Sequence, residues 1–149
     1  MTKRRRGREE ALKLIFQVDV GGLPLQEVRS IFLTNHSLSL SEETTDFALR
    51  LVKGTCANLE QIDELIEKFA VDWRLERMVS TDRNVLRLAI YEILYMDDVP
   101  VSVSINEAVE LAKKYGTEES SKFVNGILGN LVRSFGSKPV DLEGEKPCM

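Results

Sequence analysis

Apolar residues recur every three or four positions along most of the sequence, which is the spacing of one face of an α-helix. The first run comprises Leu12, Ile15, Phe16 and Val20. It ends at a pair of glycines, which are common helix terminators. Only residues 99–103 are strand-like, and their shortness together with Pro100 favours an extended linker there. The sequence therefore predicts an all-α fold.

Capping and breaking residues divide the chain into further helices. A second helix can begin at Pro24, and Ser41 opens a long segment that extends to about Ala70, with a bend expected near Gly54. Three later helices of roughly 11 to 18 residues each follow a residue suited to N-capping. These caps are Ser80, Ser104 and Thr117. The short connections between these helices favour a compact bundle, against which the N-terminal helices can pack.

Length and charge suggest how the 149 residues are organised. A chain of this length can form one domain, 1–149. We divide it into a basic flexible arm (1–8), an N-terminal helical subdomain (9–78), a C-terminal helical subdomain (79–135) and a disordered tail (136–149). The first 14 residues hold six basic side chains and two acidic ones, although the whole chain has a net charge of −4. This asymmetry favours polyanion binding at one end, and the alternative is a solvated terminus without a partner.

The sequence lacks the residues that several classes of function require. Two cysteines and one histidine, His36, form neither a disulfide framework nor a four-ligand Cys/His zinc site. Phosphate-binding glycine motifs are absent, and the acidic pairs 42–43 and 118–119 lie in first helical turns, where they favour the helix dipole. No apolar run approaches the ~20 residues of a membrane span, and Glu9 and Glu10 interrupt any secretory signal. We expect a cytoplasmic protein with no metal, no cofactor and no enzymatic activity.

Residues 105–133 have the order helix, tight turn, helix, which they share with DNA-binding helix-turn-helix motifs. Such a motif places the start of its second helix in the major groove. Here that start carries Glu118 and Glu119, which would repel the phosphates. Duplex DNA binding is therefore the disfavoured alternative.

An aromatic residue beside a lysine is the other candidate for nucleic-acid binding. Phe123 lies about 100° around the helix from Val124, which belongs to the apolar stripe. With Lys122 it can form a stacking platform for an unpaired base, or it can simply pack against a neighbouring helix. Gly126 disfavours helix, which suggests close approach by another helix backbone.

Three ordered segments resemble the NusB family of transcription antitermination factors. They are TDRNVLRLAIYE (81–92), DVP with INEAVELAK (98–100 and 105–113), and YG with SKFVNGIL (115–116 and 121–128). The resemblance is tight over about residues 80–133 and looser over the arginine-rich start and the helix that follows it. Three motifs in one order are more specific than any one of them alone.

The resemblance implies two stacked helical bundles with about seven helices. It also implies binding of the single-stranded boxA element of ribosomal RNA leaders, together with NusE, a small-subunit ribosomal protein. We expect the protein to tether this RNA to the elongating RNA polymerase complex, which raises its local concentration. The alternative function is an RNA-binding accessory domain for an rRNA-modifying enzyme. Both a monomer and a homodimer occur in the family, and both remain open here.

Site residues carry over position by position from the same resemblance. The implied RNA surface comprises Lys3, Arg4, Arg5, Arg6, Arg8, Glu119, Lys122 and Phe123. The implied NusE surface includes Glu76 and Asp82. Some relatives have an RNA-contacting aromatic near the end of the third helix, where this chain has Phe69-Ala70-Val71. We expect the basic segment and Phe123 to lie on a shared surface that grips unpaired ribonucleotides.

Overall fold

The structure, a computed structural model, describes residues 2–36 and 39–135. This part of the chain folds into seven α-helices and one short 3-10 turn, Leu75–Arg77, and contains no strand. The helices are α1 (Lys3–Asp19), α2 (Leu25–His36), α3 (Glu42–Ala57), α4 (Leu59–Phe69), α5 (Ser80–Tyr95), α6 (Val101–Tyr115) and α7 (Glu118–Phe135). The predicted all-α class and the number of helices are confirmed. The predicted tail, 136–149, lies outside the described residues.

The central helix is α5, and it holds the two halves of the chain together. Almost every residue from Asn84 to Leu94 is buried, as expected for a helix covered on all sides. It packs against α1, α3 and α4 from the N-terminal half and against α6 and α7 from the C-terminal half. The buried apolar side chains of both halves form one continuous cluster. The predicted division at residues 78 and 79 thus falls just before the helix that both halves share.

The long helical segment predicted from Ser41 to about Ala70 is in fact two helices. The break is at Asn58, whose backbone N–H and side-chain amide both donate to the carbonyl of Gly54, at 3.2 and 2.8 Å. Asparagine competes well for such local bonds, so it ends α3 and precedes α4. Helix α3 continues through Gly54, which lies beneath the ring of Tyr91, where a larger residue would collide.

Residues 99–103 are not the extended linker that the sequence predicted. Helix α6 already begins at Val101, with Pro100 as its N-cap. Proline is well tolerated at a helix start, because the first backbone N–H groups have no partner within the helix. Ser104 is consequently inside α6, where its buried hydroxyl donates to Glu92 at 2.9 Å. The N-cap predicted at Thr117 is confirmed, since its hydroxyl accepts from the backbone N–H of Ser120 at 3.1 Å.

The basic arm predicted to be flexible is the first part of a helix. The Thr2 hydroxyl accepts from the backbone N–H of Arg5 at 3.0 Å and caps α1, which begins at Lys3. Basic residues oppose the dipole at a helix start. Here the cap and several ion pairs, described below, offset that penalty. Within the described ranges, no helix is both long and apolar enough for a bilayer crossing.

Candidate nucleic-acid interface

Arg8 fixes the basic end of α1 to the core. Its Nε and Nη2 atoms donate to the two carboxylate oxygens of Glu92 on α5, at 2.8 and 2.9 Å. Both side chains are almost completely buried, and Glu92 also accepts the Ser104 hydroxyl. The Arg8 guanidinium lies over the ring of Phe47 as well, 5.2 Å from its centroid. The donors of Arg8 are therefore directed into the fold, and its contact with RNA stays a prediction.

The other four basic residues of this segment remain at the surface, each beside a carboxylate. The pairs are Lys3–Glu43, Arg4–Asp98, Arg5–Glu107 and Arg6–Glu10. The Arg5–Glu107 pair is bidentate, with N–O distances of 3.0 and 2.7 Å. We call Lys3, Arg4, Arg5 and Arg6 the basic turn of α1. Its four side chains are at least two-fifths exposed, so solvent and other anions reach them.

These pairs change the titration of the carboxylates. The hydrogen bond from Arg4 lowers the pKa of Asp98 from its ordinary 3.8 to about 2, and Arg50 on α3 adds to the effect. The hydrogen bond from Arg5 likewise lowers the pKa of Glu107. Both acids are therefore ionised at neutral pH, and a phosphate that binds the basic turn must compete with them. Exposed ion pairs contribute little to stability, so they can exchange partners readily.

Phe123 is half-buried and borders an open groove of about 280 Å³. Its ring meets the indole of Trp73 edge to face, with centroids 6.0 Å apart and planes at 78°. We call this cavity the Trp73 groove; its lining includes Trp73, Arg77, Asp82, Glu119, Ser120 and Phe123. Phe123 also packs against the hydrophobic core, so the alternative that it only packs against neighbouring elements stays open. Lys122, one position earlier, is exposed.

Gly126 was predicted to mark a close helix–helix approach, and that prediction is wrong. It is exposed, and a Cβ atom built on it would meet nothing within 4 Å. Tight glycine contacts occur instead at Gly54, against the Tyr91 ring, and at Gly7, against Phe47. The sequence pattern could not separate these positions from Gly126, because all three are single glycines within helices.

The two residues expected on a protein-partner surface differ in exposure. Glu76 is exposed in the 3-10 turn, and its Oε2 atom lies 3.3 Å from Nε of Arg74. Asp82 is only 8% exposed and forms part of the Trp73 groove. A partner can therefore reach Glu76 directly, but it reaches Asp82 only by entering the groove.

Comparison with known proteins identifies the family. The family model described as the NusB family matches residues 5–133. The transcription antitermination protein NusB of Pelotomaculum thermopropionicum is 48% identical over 131 residues, which cover 88% of this chain and 90% of that protein. The chain belongs to the NusB family.

Solved structures of NusB proteins share the fold. NusB of T. maritima has 38% sequence identity and a TM-score of 0.82, with 97% of this chain and 99% of that chain covered. A crystal structure of the antitermination factors NusB and NusE in complex with dsRNA gives 26% identity and a TM-score of 0.80, with 90% of this chain and 98% of that chain covered. The residues that the NusB family model matches, 5–133, include Arg5, the Trp73 groove and Phe123.

Helix α6 connects the basic turn to the start of α7 in this NusB-family chain. Its middle holds Arg5 through Glu107, and near its end Lys114 donates to Glu9 on α1 at 2.7 Å. The chain then turns at Gly116, and the Thr117 cap begins the helix that carries Phe123. The basic turn is thus linked through Arg5 to the helix that leads to α7 and the groove. That the basic turn and the Trp73 groove belong to one RNA-binding surface stays a prediction.

Sequence reasoning missed a second surface near Glu76. Asp19, the last residue of α1, accepts from Arg83 at 2.7 Å, and Arg83 also donates to the carbonyl of Met78 at 3.2 Å. These bonds bring the end of α1 to the segment around the 3-10 turn. The large apolar side chains of Phe16 and Val20, one turn apart on this end of α1, are about half exposed. Helical spacing places both on the apolar face of this run, but spacing alone does not show which turns of a helix are covered.

Proposed function

We propose that this protein is a non-catalytic, cytoplasmic RNA-binding factor of transcription antitermination. It binds single-stranded boxA RNA of ribosomal RNA leaders together with NusE and tethers that RNA to the elongating RNA polymerase. Family membership supports the proposal, since the curated relatives are antitermination proteins and one related structure contains NusB, NusE and RNA. The same relatives favour this function over an accessory domain of an rRNA-modifying enzyme.

The basic turn of α1 is the observation that carries the proposal. Four exposed cations project from one helical turn whose orientation is set by the buried Arg8–Glu92 pair. Lysine and arginine bind RNA mainly through phosphates, by charge and by release of counterions. A helix start also favours an anion, because its first backbone N–H groups have no helical partner. Lys122 supplies a further exposed cation, and Phe123 supplies a ring edge at the groove.

Salt dependence of RNA binding tests this proposal. Five phosphate contacts, from the basic turn and Lys122, predict a slope of log affinity against log salt of roughly −3.5 for a single strand. The double variant Arg4→Gln, Arg5→Gln should weaken binding and reduce the slope by about 1.4. The matched control is Arg29→Gln, Arg133→Gln, two exposed arginines on α2 and α7. Fluorescence anisotropy of a labelled boxA RNA measures both quantities. An affinity independent of salt and of the Arg4 and Arg5 substitutions would refute RNA binding by this turn.

The partner surface needs its own experiment. We propose that NusE binds where exposed apolar residues on α1, Phe16 and Val20, lie near the acidic Glu76. An acidic and apolar surface complements a basic ribosomal protein. Glu76→Lys should reverse this complementarity and weaken NusE binding without changing the fold, because Glu76 is exposed. Titration calorimetry with purified NusE measures the effect, and a solution mass determination distinguishes a monomer from a homodimer.

Duplex DNA binding has less support from the structure. The α6–α7 pair does form a helix-turn-helix, but Glu118 and Glu119 are exposed in the first turn of α7. Two carboxylates at that position oppose entry into a groove lined by phosphates. Tighter binding of duplex DNA than of the matched single-stranded RNA would contradict this reasoning.

A further inference from the structure

The Trp73 groove exposes an aromatic platform that the fold itself does not cover. Trp73 lies between α4 and the 3-10 turn and is 54% exposed, an unusual state for the largest apolar side chain. Its indole is in edge-to-face contact with the ring of Phe123. A large ring that is held by one neighbour and is otherwise open to solvent can stack a flat ligand without first losing conformational freedom.

A buried carboxylate oxygen in the same groove lacks a partner. Asp82 is 8% exposed, and its Oδ1 atom accepts no hydrogen bond from any group in residues 2–36 and 39–135. Buried polar atoms are nearly always paired, because leaving one unpaired costs the free energy of removing it from water. An N–H donor that enters the groove would remove that cost. The groove therefore suits a ligand that is both flat and aromatic and carries N–H groups.

A positive charge at the rim of the groove further restricts the kind of ligand that fits. Arg77, in the 3-10 turn, is exposed and lines the groove. A nucleotide within a strand offers an aromatic base with N–H donors and an adjacent phosphate. Base stacking on exposed aromatic rings is the common mode of single-strand recognition, and a carboxylate accepts from base amino groups. An apolar peptide side chain would use the rings but would leave Asp82 unsatisfied.

We infer that the Trp73 groove holds one unpaired base of the bound RNA. The inference rests on the proposed RNA-binding function. The base stacks on the indole of Trp73 beside Phe123 and donates an N–H to Oδ1 of Asp82. The phosphate next to that base lies at Arg77. Trp73, Arg77 and Asp82 thereby become RNA-binding residues in addition to Phe123 and the basic turn. Asp82 is thus assigned to RNA in place of the NusE surface that the family resemblance implies for it, whereas Glu76 stays with NusE.

The fluorescence of Trp73 tests the inference directly, since it is the only tryptophan in the chain. Titration of the full chain with a short single-stranded boxA RNA should quench the tryptophan emission, and the quenching should saturate with the Kd measured by anisotropy. Trp73→Ala should weaken RNA binding roughly 5- to 150-fold, and Trp73→Phe should retain most of the affinity because it keeps a ring. Val71→Ala is the matched control: Val71 is 83% exposed, and its truncation should leave the affinity unchanged.

Asp82→Asn separates ligand binding from a structural role. The substitution keeps the shape but removes the charge, and it should weaken RNA binding several-fold because charge-assisted hydrogen bonds are the stronger ones. Since Oδ1 has no partner within the described chain, the free energy of unfolding should fall by no more than about 1 kcal/mol, the contribution of an acid in the first turn of α5. A larger loss of stability with unchanged RNA affinity would assign Asp82 to the fold and overturn its role here.

The possible results distinguish the inference from the function on which it depends. RNA that binds by anisotropy, without quenching Trp73 and with equal affinity for Trp73→Ala, overturns the inference and leaves the function standing. Absence of RNA binding overturns both. A Trp73 emission change on addition of purified NusE alone, with none on addition of RNA, shows that the groove is a protein-docking site and also overturns the inference.

Discussion

Replacing Arg8 should destabilise the protein far more than replacing any residue of the basic turn. Arg8→Ala leaves the Glu92 carboxylate buried within α5, with the Ser104 hydroxyl still donating to it. Its surroundings are otherwise apolar and include Leu88 and Ala108. A carboxylate in such a site must either remain charged without its counter-ion or take up a proton, and both cost free energy.

The magnitude follows from the burial of the pair. The Arg8 side chain is 5% exposed and that of Glu92 is 3% exposed, so water screens neither. Removing one partner of a buried ion pair costs about 3–5 kcal/mol. For a chain near 150 residues, each kcal/mol lowers Tm by roughly 2–4 °C, which gives a decrease of about 6–20 °C. Lys3→Ala is the control, because both members of its pair with Glu43 are more than half exposed and its loss should change stability by less than about 1 kcal/mol.

Urea unfolding followed by circular dichroism measures the free energy of both variants. The double variant Arg8→Met, Glu92→Leu should recover much of the loss, because it removes both charges together. RNA binding is then compared at a temperature where Arg8→Ala is fully folded, and its Kd should be close to that of the native chain.

One result would refute the reasoning. If Arg8→Ala had native stability and a Kd raised tenfold or more, Arg8 would be an RNA contact. The ion pair with Glu92 would then not be the anchor of α1. The structure, and not the sequence, distinguishes these two roles, because Arg8 belongs to the same basic run as its neighbours.

Three further predictions concern packing, acid stability and phosphate contacts. Gly54→Ala should destabilise the protein by about 1–3 kcal/mol in urea unfolding, because the added methyl group would collide with the Tyr91 ring. The pKa of Asp98 is lowered from its ordinary 3.8 to about 2, so its pairing with Arg4 stabilises the native state above about pH 4, and this stabilisation is lost as the pH falls through 2. Asp98→Asn should therefore show a smaller decrease in the free energy of unfolding between pH 4 and pH 2, as measured by urea unfolding. Lys122→Gln should lower RNA affinity and reduce the salt slope by about 0.7, as measured by anisotropy.

Helical periodicity and capping predicted most of the fold because both are local. The caps at Ser41 and Thr117 lie where the sequence placed them. Errors occurred where a contact distant in sequence decides the outcome. Ser104 has the sequence features of an N-cap, yet Glu92 takes its hydroxyl and the helix starts earlier, at Val101.

The candidate site was predictable in composition but not in arrangement. The basic run and Phe123 could be read from the sequence, whereas the burial of Arg8 depends on Glu92, 84 positions away. The sequence does not identify Trp73 as a candidate site residue, because nothing in its local sequence distinguishes an exposed tryptophan from a buried one. Only the edge-to-face contact and the shared groove reveal that Trp73 lies beside Phe123.

Glu107 should act as an internal competitor of the RNA. Its two oxygens accept from Arg5 at 3.0 and 2.7 Å, and it lies 3.7 Å from Arg8. A phosphate that binds Arg5 must replace this carboxylate, so Glu107→Gln should raise RNA affinity several-fold at low salt, with a smaller gain at high salt because screening weakens the competing pair. Glu110→Gln is the control, since this neighbouring acid lines the same cavity without accepting those two bonds. If Glu107→Gln instead lowered the affinity, the carboxylate would be holding Arg5 in its RNA-binding orientation, and the acids around the basic turn would assist capture of the RNA instead of opposing it.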